Sequence, residues 1–250
     1  MKIPRLPIAA AGIVSATAVI APSVMVAGFA TLGKNHGTRV LPQLWAKWVL
    51  AACGADVAVV GMDRFDHKRN YVMVSNHVSL MDAPAIVAHA PQKVRFVAKK
   101  SLFYVPVFGQ ALWAAGNISV DRAKTGSATR KLREMSAKVG KEISVLFFPE
   151  GTRSAQAELM PFKKGATVMA IQAQVPVLPI AVAGTEEVLP KSTLEIRPGV
   201  IGLAFGKPID VAGYTMKERD AFTRRVREAV AGLKIEAEAA RQTRIAAKAG

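Results

Sequence analysis

Seven residues, Asn76-His77-Val78-Ser79-Leu80-Met81-Asp82, follow directly on a β-rich run at Tyr71–Ser75. An imidazole takes up a proton near neutral pH, and a carboxylate on its other ring nitrogen fixes the tautomer and stabilises the imidazolium. His77 and Asp82 lie five positions apart across a turn that leads into a helix, so the two side chains can face one another. Such a pair can remove the proton of a hydroxyl as its oxygen attacks a carbonyl. The same two residues can equally form a helix cap or a structural pair. α/β domains place reactive groups where a strand ends in a turn, which is where this segment falls.

Three further segments carry functional groups. Phe147-Phe148-Pro149-Glu150-Gly151-Thr152-Arg153-Ser154 ends another β-rich run. Gly151 allows close backbone approach, while Thr152 offers a hydroxyl and Arg153 a forked cation suited to phosphate. Glu150 can accept hydrogen bonds from a polyol, and an ordinary polar turn is the other reading. In Gly116-Asn117-Ile118-Ser119-Val120-Asp121-Arg122 a short strand delivers Arg122 either to an anion or to a nearby carboxylate such as Asp121. Val175-Pro176-Val177-Leu178-Pro179-Ile180 has no ionisable group; its prolines restrict the backbone and suit it to shaping a pocket wall.

The elements that must hold these residues alternate along the chain. Short β-rich runs occur at Val57–Val60, Tyr71–Ser75, Val94–Val97, Val145–Phe148, Val177–Val182 and Ile201–Phe205. Helical periodicity occupies Ser127–Val139, Ala166–Gln174 and Lys217–Leu233. The alternation predicts an α/β fold, a sheet with helices packed against it. From Glu236 the chain is Ala-rich, mixed in charge and weakly periodic, which suits a solvated helix or a frayed tail.

The first third differs in character. From Leu6 to Gly33 there is no charged residue, a run longer than the roughly 20 residues that cross a bilayer. Ala and Gly dominate it, and Pro7 and Pro22 interrupt it. A spanning helix, a helix pair confined to one leaflet with Pro22 as its break, and a cleaved signal peptide are the competing readings. The last fits worst, because an h-region holds about 7–15 residues. Val40–Cys53 follows with Leu41, Leu44, Trp45, Trp48 and Val49 at helical spacing, suiting either a membrane interface or a core helix.

Apolar residues make up 51% of the 250 and charged residues 21%, enough for a substantial core. The formal charge of +16 favours polyanionic partners: nucleic acid, anionic headgroups or acidic carrier proteins. The single cysteine, Cys53, excludes an internal disulfide and lies in an apolar run without a neighbouring cation, which suits a buried, inert thiol. His36, His67 and His89 read as turn, loop and helix-end residues. No Cys/His cluster has metal-ligand spacing, and no metal or cofactor is expected.

Together and in this order, the four segments resemble the glycerolipid acyltransferase family, most closely the 1-acylglycerol-3-phosphate (lysophosphatidic acid) acyltransferases. That family's Asn-His-x-Ser-x-x-Asp motif is met by Asn76, His77, Ser79 and Asp82, and its Phe-Pro-Glu-Gly-Thr-Arg-Ser motif by Phe148 through Ser154. Gly116 and Arg122 match a Gly-x-x-Phe-Ile-x-Arg motif in which Ser119 stands where a large apolar residue is usual. Val175, Pro176, Pro179 and Ile180 match the fourth. The resemblance covers roughly 40–205.

It implies a mixed central sheet flanked by helices, and with the composition of the two ends the chain divides into an apolar membrane segment at 1–37, the acyltransferase domain at 38–235 and an Ala-rich charged tail at 236–250. It implies His77 as general base, polarised by Asp82, with direct attack of the acceptor hydroxyl on a thioester. Arg122 and Arg153 would hold the acceptor phosphate, Glu150 and Gly151 would line its glycerol site, and Thr152 would be a further substrate-binding residue. Lys99, or its neighbour Lys100, would bind phosphate or the developing oxyanion.

The acceptor implied is 1-acylglycerol-3-phosphate, with a lyso-ornithine lipid, another lysophospholipid or glycerol-3-phosphate as the alternatives. The donor implied is acyl-coenzyme A or acyl-carrier protein, used as co-substrate, with the catalytic domain on the cytoplasmic side of an anionic membrane. Between Lys93 and Lys141, eleven Lys/Arg residues face only Asp121 and Glu134, which suits acidic donors and headgroups. A nucleic-acid binder is the contrasting class. Against it stand the absence of any nucleic-acid motif and the apolar N-terminus.

Overall fold

The structure, a computed structural model, describes residues 5–30, 39–120, 136, 138–153, 158–191 and 195–250. Arg122, Asp121, Ser154, His36 and most of the expected helix at Ser127–Val139 lie outside the described residues.

The described strands are β1 (Ala55–Val60), β2 (Val72–Ser75), β3 (Val94–Lys99), β4 (Ile118–Val120), β5 (Ser144–Phe147), β6 (Val177–Ala183) and β7 (Gly199–Phe205). They form one sheet in the order β1-β7-β6-β2-β5-β3-β4. From β6 to β4 every pairing is parallel, while β7 meets β6 antiparallel and β1 runs parallel to β7. The sheet is therefore mixed, as expected. Register brings Val74 beside Phe147 and Leu146 beside Phe96, so β2, β5 and β3 release their following residues at one edge and nearly one level.

The helices are α1 (Arg5–Ala30), α2 (Val40–Ala52), α3 (Asp82–His89), α4 (Phe108–Ala114), α5 (Gly165–Ala173), α6 (Thr185–Val188) and α7 (Arg219–Ala249). Strand residues alternate between two apolar layers. Met73, Leu146, Leu178 and Leu203 pack with α2 and α3 through Val49, Leu50, Ala85 and Ile86. Val72, Val74, Val145 and Val177 pack with α5 and α7 through Met169, Phe222 and Val226. Every residue of β2 is buried, the continuous apolar run of a parallel strand covered on both faces.

α1 corrects the expected break at Pro22: it is one helix that continues through the proline. Ser23 donates its hydroxyl to the Val19 carbonyl at 3.3 Å in the turn beside it. The pairing that the apolar run requires comes from α2. A side chain at Gly12 would collide with Ala52, so the two helices cross closely there, and Trp45 donates its indole N–H to Thr17 at 3.2 Å. Of the two tryptophans on α2, Trp45 faces inward and Trp48 is exposed. The window Ala9–Val26 is long and apolar enough to cross a membrane, with mean hydropathy 1.9.

The Ala-rich segment from Glu236 is the end of α7. Gly202 has no side chain to hold that helix off β7, and Ala237 packs directly over it. Arg241 is buried as well, donating to the Val200 carbonyl at 3.0 Å and pairing with Glu238 and Glu187.

Candidate active site

The loop from Asn76 to Met81 leaves β2 between its two parallel neighbours, and its own motif residues fasten it. Asn76 grips β6 twice: its amide donates to the Val182 carbonyl and its oxygen accepts the Val182 N–H, both at 2.9 Å. Ser79 donates its hydroxyl to the Leu189 carbonyl at 2.7 Å. Both residues are buried and spent on backbone. The loop is thus held to the strand and turn beyond it before His77 does anything.

His77 Nδ1 lies 2.7 Å from Asp82 Oδ2. Asp82 is fully buried, so its charge needs hydrogen bonds from every side. It receives them from the Val78 N–H at 2.7 Å, the Ser79 N–H at 3.0 Å, His77, and the Thr185 hydroxyl at 2.5 Å. With the carboxylate ionised, Nδ1 carries the proton and Nε2 keeps its lone pair for an incoming hydroxyl. The imidazole stacks on Phe148, ring centroids 4.2 Å apart at 20°, and its side chain is 17% exposed. One ring edge is locked and the other can meet a substrate, the geometry a general base requires.

Thr185 has no counterpart in the sequence pattern. It follows Gly184, whose backbone is left-handed at φ 77° and whose missing side chain leaves room for Arg241 from α7. A Gly-Thr pair directly after the last parallel strand is the one local signal it gives.

Glu150, expected at the glycerol site, has both its oxygens engaged by backbone. It is 4% exposed, and its two oxygens accept the backbone N–H of His77 at 2.8 Å and of Met160 at 3.1 Å. Directed inward, it joins the loop after β5 to the base. Gly151 takes the left-handed backbone, φ 75°, and Lys163 lies against the space a side chain there would fill. Thr152 is exposed and Arg153 partly buried in the same loop. Lys163 is thus a cation of this loop that no motif announced.

Lys99 ends β3 at the same sheet edge, two strands from β2, with its side chain exposed. Lys100 turns over the Tyr104 ring at 5.8 Å. Gly116 is left-handed at φ 76°, and Asn117 ties β4 to β3 by accepting the Phe96 N–H at 2.8 Å. The fourth motif runs from Val175 and Pro176 into β6, which is buried throughout. His67 and His89 each bond a backbone carbonyl. Burial pushes the Cys53 thiol up, away from its reactive thiolate form. Among the described residues no three His, Cys, Asp or Glu side chains gather as metal ligands would.

A family model described as Acyltransferase matches residues 56–183. The human 1-acyl-sn-glycerol-3-phosphate acyltransferase alpha is 31% identical over 202 residues, covering 80% of this chain and 71% of its own. The 1-acyl-sn-glycerol-3-phosphate acyltransferase of Limnanthes alba is 32% identical over 162 residues, and the chain spans 58% of its length. The crystal structure of the 1-acyl-sn-glycerophosphate (LPA) acyltransferase PlsC from Thermotoga maritima is similar at TM-score 0.67 and 29% identity, covering 79% of this chain and 77% of that one.

Proposed function

The chain belongs to the acyltransferase family, and on that premise we propose that it acylates the free hydroxyl of 1-acylglycerol-3-phosphate, yielding phosphatidic acid for phospholipid synthesis. The observation that carries the reading is the His77–Asp82 pair, a base with one nitrogen fixed by a buried carboxylate and the other left to accept a proton. The acceptor hydroxyl gives its proton to His77 Nε2 as its oxygen attacks the thioester carbonyl. Collapse of the adduct expels the thiolate of coenzyme A or carrier protein, which takes that proton back from the imidazolium and leaves as a thiol. Direct transfer is favoured over an acyl-enzyme because the nearby Ser79 hydroxyl is committed to Leu189 and Cys53 is buried.

Arg153, with Arg122, holds the acceptor phosphate, and Lys99 stabilises charge at the same edge. α1 attaches the chain to a membrane and, packed along α2, lies in the cytoplasmic leaflet, facing the compartment that holds both donors. The test uses the full chain in detergent with labelled acyl-coenzyme A and acyl-carrier protein, a panel of lysolipids, and products resolved by mass spectrometry. Phosphatidic acid should form with the wild type. Loss of the positioned base in His77→Ala should cost on the order of 10²–10⁴ in rate. Product from every acceptor except 1-acylglycerol-3-phosphate overturns the acceptor assignment. Retention of more than about a tenth of turnover by His77→Ala overturns the mechanism.

A further inference from the structure

Beyond Lys100 the chain carries a second uncharged stretch. Ser101–Val120 contains no Asp, Glu, Lys or Arg over 20 residues, in a protein of which 21% is charged. Its inner side joins the N-terminal helices. Phe108 meets the Trp45 ring at 5.9 Å, and Ala114 and Ala115 pack on Ile20 and Val24 of α1. This segment, α1 and α2 therefore form one continuous apolar body.

Its outer side is apolar too. Tyr104 is 70% exposed, Val105 43% and Val107 45%, with Leu102 exposed beside them. The turn that displays them is tightly wound. Gly109 donates its N–H to the Val105 carbonyl at 2.7 Å, and Ala111 donates to that of Val107 at 3.0 Å. Val107 itself holds φ 65° and ψ −53°, a γ-turn closed by the Phe108 N–H donating to the Pro106 carbonyl at 2.7 Å, a conformation a β-branched residue adopts only under constraint. At the stem stand the exposed cations Lys99 and Lys100, the latter over the Tyr104 ring at 5.8 Å. Exposed apolar tips beneath an aromatic and a pair of lysines match the layering of a lipid interface: acyl chains, glycerol level, phosphate.

We propose that Leu102–Val107 is a second bilayer-seating element, inserting Tyr104, Val105 and Val107 into the leaflet that carries α1 while Lys100 meets anionic headgroups. This rests on the reading of α1 as bilayer-borne. The segment follows β3 at the sheet edge from which His77 projects, so seating it turns that edge towards the leaflet. A lysolipid then reaches the base sideways from the membrane. Continuity with α1 and the flanking positive charge favour a lipid surface over a protein partner.

The test places single cysteines at Val105→Cys, Val19→Cys and, as a control, Lys217→Cys in a Cys53→Ala background of the full chain. Each is labelled with an environment-sensitive dye. Vesicles of phosphatidylethanolamine and phosphatidylglycerol with a shallow nitroxide lipid should quench positions 105 and 19 by about twofold or more and leave 217 unchanged. Quenching at 19 but not at 105 overturns the proposal while sparing the reading of α1. Absence of quenching at both removes the two together. A spectral shift at 105 that grows with protein concentration, without vesicles, assigns the surface to a second copy and also overturns it.

A double variant, Val105→Asp with Val107→Asp, gives an independent reading. Circular dichroism of the double variant checks that the fold is kept. Turnover of vesicle-borne acceptor should fall about tenfold, and that of a monomeric short-chain acceptor should stay within about twofold. An equal loss on both acceptors counts against the proposal.

Discussion

The carboxylate of Glu150 accepts the backbone N–H of His77 at 2.8 Å, joining the loop after β5 to the residue after β2. Its other oxygen holds Met160, so one side chain sets the distance between the base and the Gly151–Arg153 turn. Glu150→Gln keeps the shape but turns an amide N–H2 against a backbone donor. Turnover should fall about 10- to 100-fold with the acceptor KM within about threefold, because the base is displaced while the substrate contacts persist. Steady-state kinetics over a range of acceptor concentrations decides this. A raised acceptor KM at unchanged kcat returns Glu150 to the glycerol site.

Thr185 supplies the hydroxyl that closes the shell around Asp82. Thr185→Val conserves volume and removes the donor, leaving one carboxylate oxygen short of a partner. A loss of about tenfold in kcat is expected, with Thr185→Ser restoring most of it. Circular dichroism of the two variants checks that the fold is common to both. If serine fails to rescue, the methyl group rather than the hydroxyl is what matters at that position.

Arg153→Lys retains the charge and loses the fork. The acceptor KM should rise roughly tenfold, with a smaller change for the thioester. Measuring both KM values under pseudo-first-order conditions distinguishes the two. The opposite pattern gives Arg153 to the donor.

For the N-terminus, Lys2→Cys and Ser15→Cys in the Cys53→Ala background, treated with an impermeant thiol reagent on intact cells, should both stay unlabelled. Labelling of Lys2→Cys from outside replaces the one-leaflet arrangement with a span.

Arg244 and Lys248, 2.7 and 2.8 Å from Asp56, hold its carboxyl at about 2 against an ordinary 3.8. A carboxylate whose pKa is depressed by folding stabilises the native state above the unfolded value and loses that contribution as pH falls through the native one. Asp56→Asn should therefore lower Tm by about 2 °C near neutral pH, the deficit narrowing below pH 4 and closing towards pH 2. A deficit that is constant from pH 7 to pH 3 assigns the loss to packing of α7.

His77 and Asp82 were legible because a single turn joins them, and the strands around them because apolar runs and turn residues mark them locally. Thr185 was not, since it reaches Asp82 from 103 positions away and only the docking of β6 beside β2 brings it there. Glu150 was recognisable as a site residue, but the direction of its side chain depends on where Met160 returns, which no local pattern encodes. Pro22 suggested a break that does not occur: the helix costs one backbone hydrogen bond there, and packing of α1 on α2 at Gly12 and Thr17 holds its course. Past Glu236 the helical alternative holds, but its packing on the sheet was not legible, because its apolar contacts thin to Ala237 and Arg241 anchors it by charge instead.

The span between Asp82 and Thr185 also orders events in time. During synthesis, α1, α2 and the whole His77 loop leave the ribosome while the residue that completes the carboxylate's shell is still unmade. Chains elongate at about 5–20 residues per second, so several seconds separate the emergence of the base from the moment it can be poised. Until β6 pairs beside β2, Asn76 lacks its two bonds to Val182 and Asp82 its bond from Thr185, so the shell that poises His77 is completed late in synthesis.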